Sequence, residues 1–225
     1  MIPYLERKAG WPARNIAGVD EAGRGCWAGP VVAAAVIFPA TFDPPCLNDS
    51  KKLTAALREN LCTRITQDAV TGVGIVSAAD IDATNILIAS LQAMAHAVGQ
   101  LMPAPDHVLV DGNRLPDWDW SAEAVIGGDA HAPAIAAASI IAKHTRDQLM
   151  IELDARYPGY AWAQNKGYGV PTHQAGLAVC GISPEHRRTF APIRKLLAGA
   201  GEPDDANDAN VDKCVDKKSR RIISV

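Results

Sequence analysis

Residues 18 to 25 read GVDEAGRG: two adjacent carboxylates, Asp20 and Glu21, set against a glycine-arginine-glycine turn formed by Gly23, Arg24 and Gly25. The apolar run ahead of them, Asn15 to Val19, predicts a short strand, with Asp20 near its end and the glycines in the following turn. Ligands gather at such places in open α/β sheets. A second aspartate, Asp111, closes the strand-like run HVLVD, and Asp129 stands just ahead of a long helical pattern. If the strands bearing Asp20 and Asp111 are parallel neighbours, both carboxylates come to one edge. Crowded carboxylates repel, and each is driven towards protonation unless a cation neutralises them. Oxygen donors with no nearby cysteine-histidine set favour Mg2+ or Mn2+ over zinc. Three or four carboxylates can hold two such ions, able to activate a water and to stabilise the leaving oxygen of a phosphodiester.

Each piece also has a plainer reading. An aspartate at a strand end often caps a turn or a following helix, and Gly23-Arg24-Gly25 can be an ordinary tight turn. A dinucleotide-binding turn is the sharper rival, but Gly29 comes one residue late for the G-x-G-x-x-G spacing and no phosphate-binding lysine motif follows.

The elements that must carry these residues alternate between strand and helix. PVVAAAVIF, residues 30–38, is a continuous apolar run between Gly29 and Pro39 and predicts a buried strand. Thr54 can cap a helix with Leu57, Leu61 and Ile65 on one face, and residues 70–77 predict the next strand. A single helix is expected from about Asp80 to Leu101, closed by the Pro103 to Asp106 stretch. From Pro133 to about Tyr157 runs a long helix whose Ala136, Ala137 and Ala138 permit close approach of a neighbouring backbone.

Composition narrows the class. The 225 residues are 48% hydrophobic, enough for one sizeable core, and the net charge of −3 does not announce a nucleic-acid binder, so any such attraction must be local. The five cysteines are widely spaced and read as reduced thiols of a cytoplasmic protein. The start of the chain lacks a signal-peptide core and no stretch has the length of a membrane span. The six histidines show no ligand spacing and read as helix, strand-edge or surface residues. Residues 1–199 are expected to form the folded domain. Beyond Ala200 the sequence is acidic, then basic, and poor in large apolar residues, which predicts a disordered tail over 200–225.

Taken in order, GVDEAGRGCWAGPVVAAAV, LNDSKKLT, LVDGNRLP, GGDAHAPAIAAASIIAKHTRDQLM, YPGYAWAQNKGYGVPTH and HRRTFAPI resemble the motif series of bacterial-type ribonuclease HII across about residues 14 to 197. The resemblance implies a ribonuclease H-like α/β fold, a mixed central sheet flanked by helices, with additional C-terminal helices. It implies an endonuclease that cuts the RNA strand of RNA-DNA hybrids, and cuts 5′ of single ribonucleotides embedded in duplex DNA, leaving 3′-hydroxyl and 5′-phosphate ends. Asp20, Glu21, Asp111 and Asp129 match the family's acidic positions, which serve carboxylate-bound two-metal catalysis with Mn2+ or Mg2+. Gly23, Arg24 and Gly25 match the turn whose backbone reads the ribose 2′-hydroxyl, a group that distinguishes RNA from DNA. Tyr168 matches a tyrosine that stacks on the sugar after the ribonucleotide, and Lys51, within the motif series, is the foremost substrate-binding candidate after Arg24. Lys52, Lys143, Arg146 and Lys166 lie within the motifs and offer charge for phosphate contacts. Two departures stand out: no lysine precedes Gly127-Gly128-Asp129, and Asn165 replaces a histidine common before KGYG.

Overall fold

The computed structural model describes residues 4–41 and 53–199. Lys51, Lys52 and the expected tail lie outside the described residues. The chain divides into two compact units, the first drawn from Met1–Arg24, Val31–Val76 and Ile86–Arg146, the second from Gly25–Pro30, Ser77–Asn85 and Asp147–Val225.

Among the described residues the first unit holds one mixed sheet of β1 (Ile16–Ala22), β2 (Val31–Ile37), β3 (Val70–Val76), β4 (His107–Asp111) and β5 (Ala122–Val125). Its strand order is β3-β2-β1-β4-β5. The first three strands form an antiparallel meander, and β4 then returns parallel to β1 with β5 parallel beyond it. Every residue of β2 is buried, which is why its sequence is apolar without alternation: helices cover both faces. Ala34 and Val36 pack with Cys62 and Ile65 of α2 (Ala55–Asp68) and with the alanines of α5 (Pro133–Arg156). On β3, Gly72 and Gly74 receive α4 (Ile86–Gly99) so closely that a Cβ on either would lie about 2 Å from the Ala97 or Ala93 carbonyl oxygen.

Two expectations need correction. The single helix over 80–101 is two: α3 (Ala78–Ala83) and α4, separated where Thr84 leaves helical geometry and turns its hydroxyl back to the Asp80 carbonyl at 3.0 Å. Thr54 does cap α2, accepting from the Leu57 amide, but the buried face is Arg58, Cys62 and Ile65 while Leu57 is 47% exposed. The aliphatic stem of an arginine can serve as core, which a pattern of apolar letters does not register. The sequence reading also gave no place to α1 (Tyr4–Ala9) or to the short β5.

The second unit is helical: α3, the end of α5, α6 (Trp162–Asn165), α7 (Pro171–Cys180) and α8 (Ala191–Gly199). Met150, Leu153, Tyr160, Trp162, Leu177 and Ile193 form its core with Ala28. Asp82 of α3 accepts from the backbone amides of Arg188 and Thr189 at 2.7 and 2.9 Å. Cys26 and Cys62 are free thiols. Cys180 is disulfide-bonded, which corrects the uniformly reduced reading: spacing along a chain does not disclose which sulfurs meet in space. No helix among the described residues is long and apolar enough to cross a membrane.

Candidate active site

The sheet register brings the acidic residues together. Val19 pairs with Val110 in the parallel β1-β4 ladder, so Asp20 and Asp111 each stand one residue past that pair on adjacent strands. Asp20 stands near the end of its strand, as the sequence suggested: β1 continues only through Glu21 and Ala22, where β2 keeps pairing with it, Ala22 opposite Val32. The alternation of a strand then decides where Asp20 points. Gly18 and Asp20 share a face, and a Cβ on Gly18 would lie 2.2 Å from the Ala134 carbonyl carbon and 2.3 Å from the Ile135 amide. That is α5 lying directly on β1. Four residues along the helix from Ile135, on the same side, Ser139 reaches Asp20 with its hydroxyl. Sequence reasoning missed Ser139; its only signal was a lone hydroxyl inside the run AIAAASIIA.

Asp20 is 7% exposed. Burial, then the nearby carboxylates of Glu21 and Asp111, push its pKa up to about 8, against smaller opposing hydrogen bonds from Ser139 and the Glu21 amide. The Glu21 carboxyl is raised too, by burial first and by Asp111, with Arg24 pulling the other way. Arg24 Nη1 lies 3.2 Å from Glu21 Oε1 on a half-exposed side chain. Asp111 Oδ1 accepts the Gly128 amide at 2.7 Å, which fixes the Gly127-Gly128 turn beside it and sets Asp129 next in the chain, in a short 3-10 helix (Gly128–Ala130).

Asp20, Glu21 and Asp111 therefore share one charged neighbourhood, and Asp129 follows Gly128, whose amide Asp111 holds. Among the described residues no three carboxylate, histidine or cysteine side chains already stand as a metal cage. One oxygen of each of the three carboxylates is turned to a protein donor instead. The chemistry of the donor set still fits a hard divalent cation, because buried, crowded oxygen ligands gain most from one.

The turn residues fall across the two units. Gly23 has a φ of +98°, and a Cβ there would lie 2.0 Å from Arg146 Nε. Arg146 is 1% exposed, so its expected role as a free phosphate contact is corrected: it is a packed support under the turn. In the second unit the Tyr168 ring lies 3.9 Å from where a Cβ on Gly25 would be, and Tyr168 is 47% exposed. Trp27 packs over Gly169 and donates its amide to the Gly167 carbonyl. His173, on helix α7, and His186 are both fully buried, so neither is a surface residue.

A mixed five-stranded sheet with a central parallel pairing, covered by helices, is the ribonuclease H-like fold class. The family model for ribonuclease HII matches residues 17–193. A ribonuclease HII of Rhizorhabdus wittichii is 55% identical over 181 residues, 80% of this chain and 90% of its own. One of Geobacillus thermodenitrificans is 56% identical over 184 residues, 81% of this chain and 71% of its own. The crystal structure of the ribonuclease H2 from Pyrococcus horikoshii superposes with a TM-score of 0.71 at 27% identity, covering 84% of this chain and all of that one. This chain belongs to the ribonuclease HII family, and is thus a metal-dependent endonuclease.

Proposed function

We propose that this chain hydrolyses the RNA strand of RNA-DNA hybrids and cuts 5′ of single ribonucleotides in duplex DNA, leaving 3′-hydroxyl and 5′-phosphate ends. The observation that supports the reading is the placement of Asp20: a buried carboxyl faced by Glu21 and Asp111 resists ionisation, and such a cluster is costly to charge unless a cation belongs there. Asp20, Glu21 and Asp111 hold the first ion and Asp129 completes the site for a second, with Mn2+ or Mg2+ as the ion. When bound, such ions supply Lewis-acid stabilisation of the charge that develops on the phosphodiester oxygens.

The chain's own groups do the rest. Ser139 holds Asp20 from the α5 side, and Gly128 holds Asp111, so both carboxylates are restrained before substrate arrives. The backbone of Gly23, Arg24 and Gly25 reads the 2′-hydroxyl; the missing side chain at Gly23 makes room for Arg146, and the one at Gly25 leaves open space beside Tyr168. Tyr168 offers an exposed ring for stacking on the neighbouring sugar. Arg24 and Lys51 bind phosphate. The same reading places the enzyme in the cytoplasm.

The test is cleavage of an end-labelled DNA duplex carrying one ribonucleotide, in Mg2+, Mn2+ or chelator, beside an all-DNA duplex and the Asp20→Asn variant. Metal-dependent cutting on the 5′ side of the ribonucleotide, absent from both controls, is the expected result. A folded protein that binds the duplex but cuts with neither metal rejects catalysis in favour of a binding role.

A further inference from the structure

The second unit contains a buried polar chain that ends on the backbone of Tyr168. His186 Nδ1 lies 3.0 Å from the Ser183 amide nitrogen and 2.8 Å from the Ser183 hydroxyl oxygen. His186 Nε2 lies 3.0 Å from His173 Nε2, and Trp162 Nε1 lies 3.0 Å from that same His173 atom. His173 Nδ1 lies 3.0 Å from the Tyr168 carbonyl oxygen. Both rings are 0% exposed, so each polar atom must find its partner within this set.

Only one proton arrangement satisfies all of these contacts. A backbone N–H and an indole N–H can only donate. His186 Nδ1 therefore accepts from Ser183, and the His186 proton sits on Nε2. Trp162 Nε1–H donates to His173 Nε2 and His186 Nε2–H shares that single lone pair, which leaves the His173 proton on Nδ1, where it donates to Tyr168. A carbonyl oxygen can only accept, so the two ends of the chain agree. Burial together with the adjacent ring lowers the pKa of His186, and burial lowers that of His173, keeping both neutral.

We propose that His173 is a positioning residue for substrate recognition, locked by His186 and Trp162 into the tautomer that donates to the Tyr168 carbonyl and so fixes the loop presenting the Tyr168 ring. The inference rests on the reading that Tyr168 touches substrate. The loop carries one residue that needs such a hold: Lys166, a non-glycine, has a φ of +53°. Such backbone persists only where its surroundings over-determine it.

Two variants separate positioning from general support. In His173→Asn the side-chain amide can overlay Nδ1 and still donate to Tyr168. In His173→Gln the amide overlays Nε2 and cannot. With the single-ribonucleotide duplex, His173→Gln is expected to raise KM about five-fold, the size of one neutral hydrogen bond, with kcat within about two-fold. His173→Asn is expected to stay near wild type, and in a Tyr168→Ala background His173→Gln is expected to have no further effect on KM.

Equal KM in wild type and a folded His173→Gln overturns the proposal, as does full additivity with Tyr168→Ala. If Tyr168→Ala alone leaves KM unchanged, the underlying reading of Tyr168 fails instead. Should His173→Gln not fold, the wild-type protein still decides: long-range proton-nitrogen NMR is expected to show His173 protonated at Nδ1 and His186 at Nε2. A His173 proton on Nε2 would falsify the lock.

Discussion

Arg146 Nε lies 2.0 Å from the place a Cβ on Gly23 would occupy, and Arg146 is itself almost wholly buried. The turn and its support thus leave no room for a side chain at Gly23, and its φ of +98° is one that L side chains rarely adopt. Gly23→Ala is expected to destabilise the protein by about 1–3 kcal/mol, read from urea unfolding. A variant as stable as wild type would show that Arg146 can yield and that the turn has more freedom than its packing suggests.

The carboxylates should be separable from the fold. Asp20→Asn and Asp111→Asn are expected to keep wild-type circular dichroism while losing about a hundred-fold or more in cleavage rate, since several kcal/mol of charge stabilisation go with the ion. Thermal melts give an independent view: Mn2+ or Mg2+ should raise the Tm of wild type, as any ligand of the folded state does, and raise that of Asp20→Asn far less. Near-normal rates in either variant reject the site.

Replacement of Arg24 or Tyr168 by alanine acts on recognition more than on chemistry. The preference for a ribonucleotide-containing duplex over plain DNA should fall in both. Competition cleavage with the two duplexes in one tube measures it, and an unchanged ratio removes both residues from the recognition surface.

Glu6 sits on α1 yet caps α5. Its Oε1 accepts the Ala134 amide at 2.8 Å in the first turn of that helix, and burial raises its pKa. Glu6→Ala should cost about 0.5–2 kcal/mol, the range of a lost helix N-cap. Glu6→Gln keeps an acceptor at the same place without a buried charge and should cost less in chemical denaturation.

Acid should attack the histidine pair. The His186 pKa is pushed down to about 3 by burial and then by His173, while an unfolded histidine titrates near its ordinary value of about 6.5. Below that value the unfolded chain takes up a proton that the folded one refuses, so this stability is present above about pH 6.5 and is lost as pH falls towards 3. Urea midpoints measured across that window, with tryptophan fluorescence as the probe because Trp162 lies 5.3 Å from His186 by ring centroids, should decline. They should decline less steeply in His186→Gln.

Much of this protein is local and therefore readable in one dimension. The unbroken apolar run of β2 announces a strand buried on both faces, Thr54 marks a helix start, and the motif order from Asp20 to Arg188 carries the family. The approach of Asp20 to Asp111 needed a guess that their strands lie side by side and parallel; the register confirms the neighbourhood through Val19 and Val110. What the sequence could not contain is every relationship made by residues far apart. Ser139 meets Asp20 only because Gly18 lets α5 settle on β1. Glu6 caps a helix 128 residues away, and His173 finds its tautomer from a partner 13 residues on. Local propensity fixes where strands and helices begin, because turns, caps and periodicity act over a few residues. Burial and hydrogen-bond satisfaction are settled only when distant segments close on one another, and those two conditions make Asp20 a charged problem, Arg146 a support and His173 a donor.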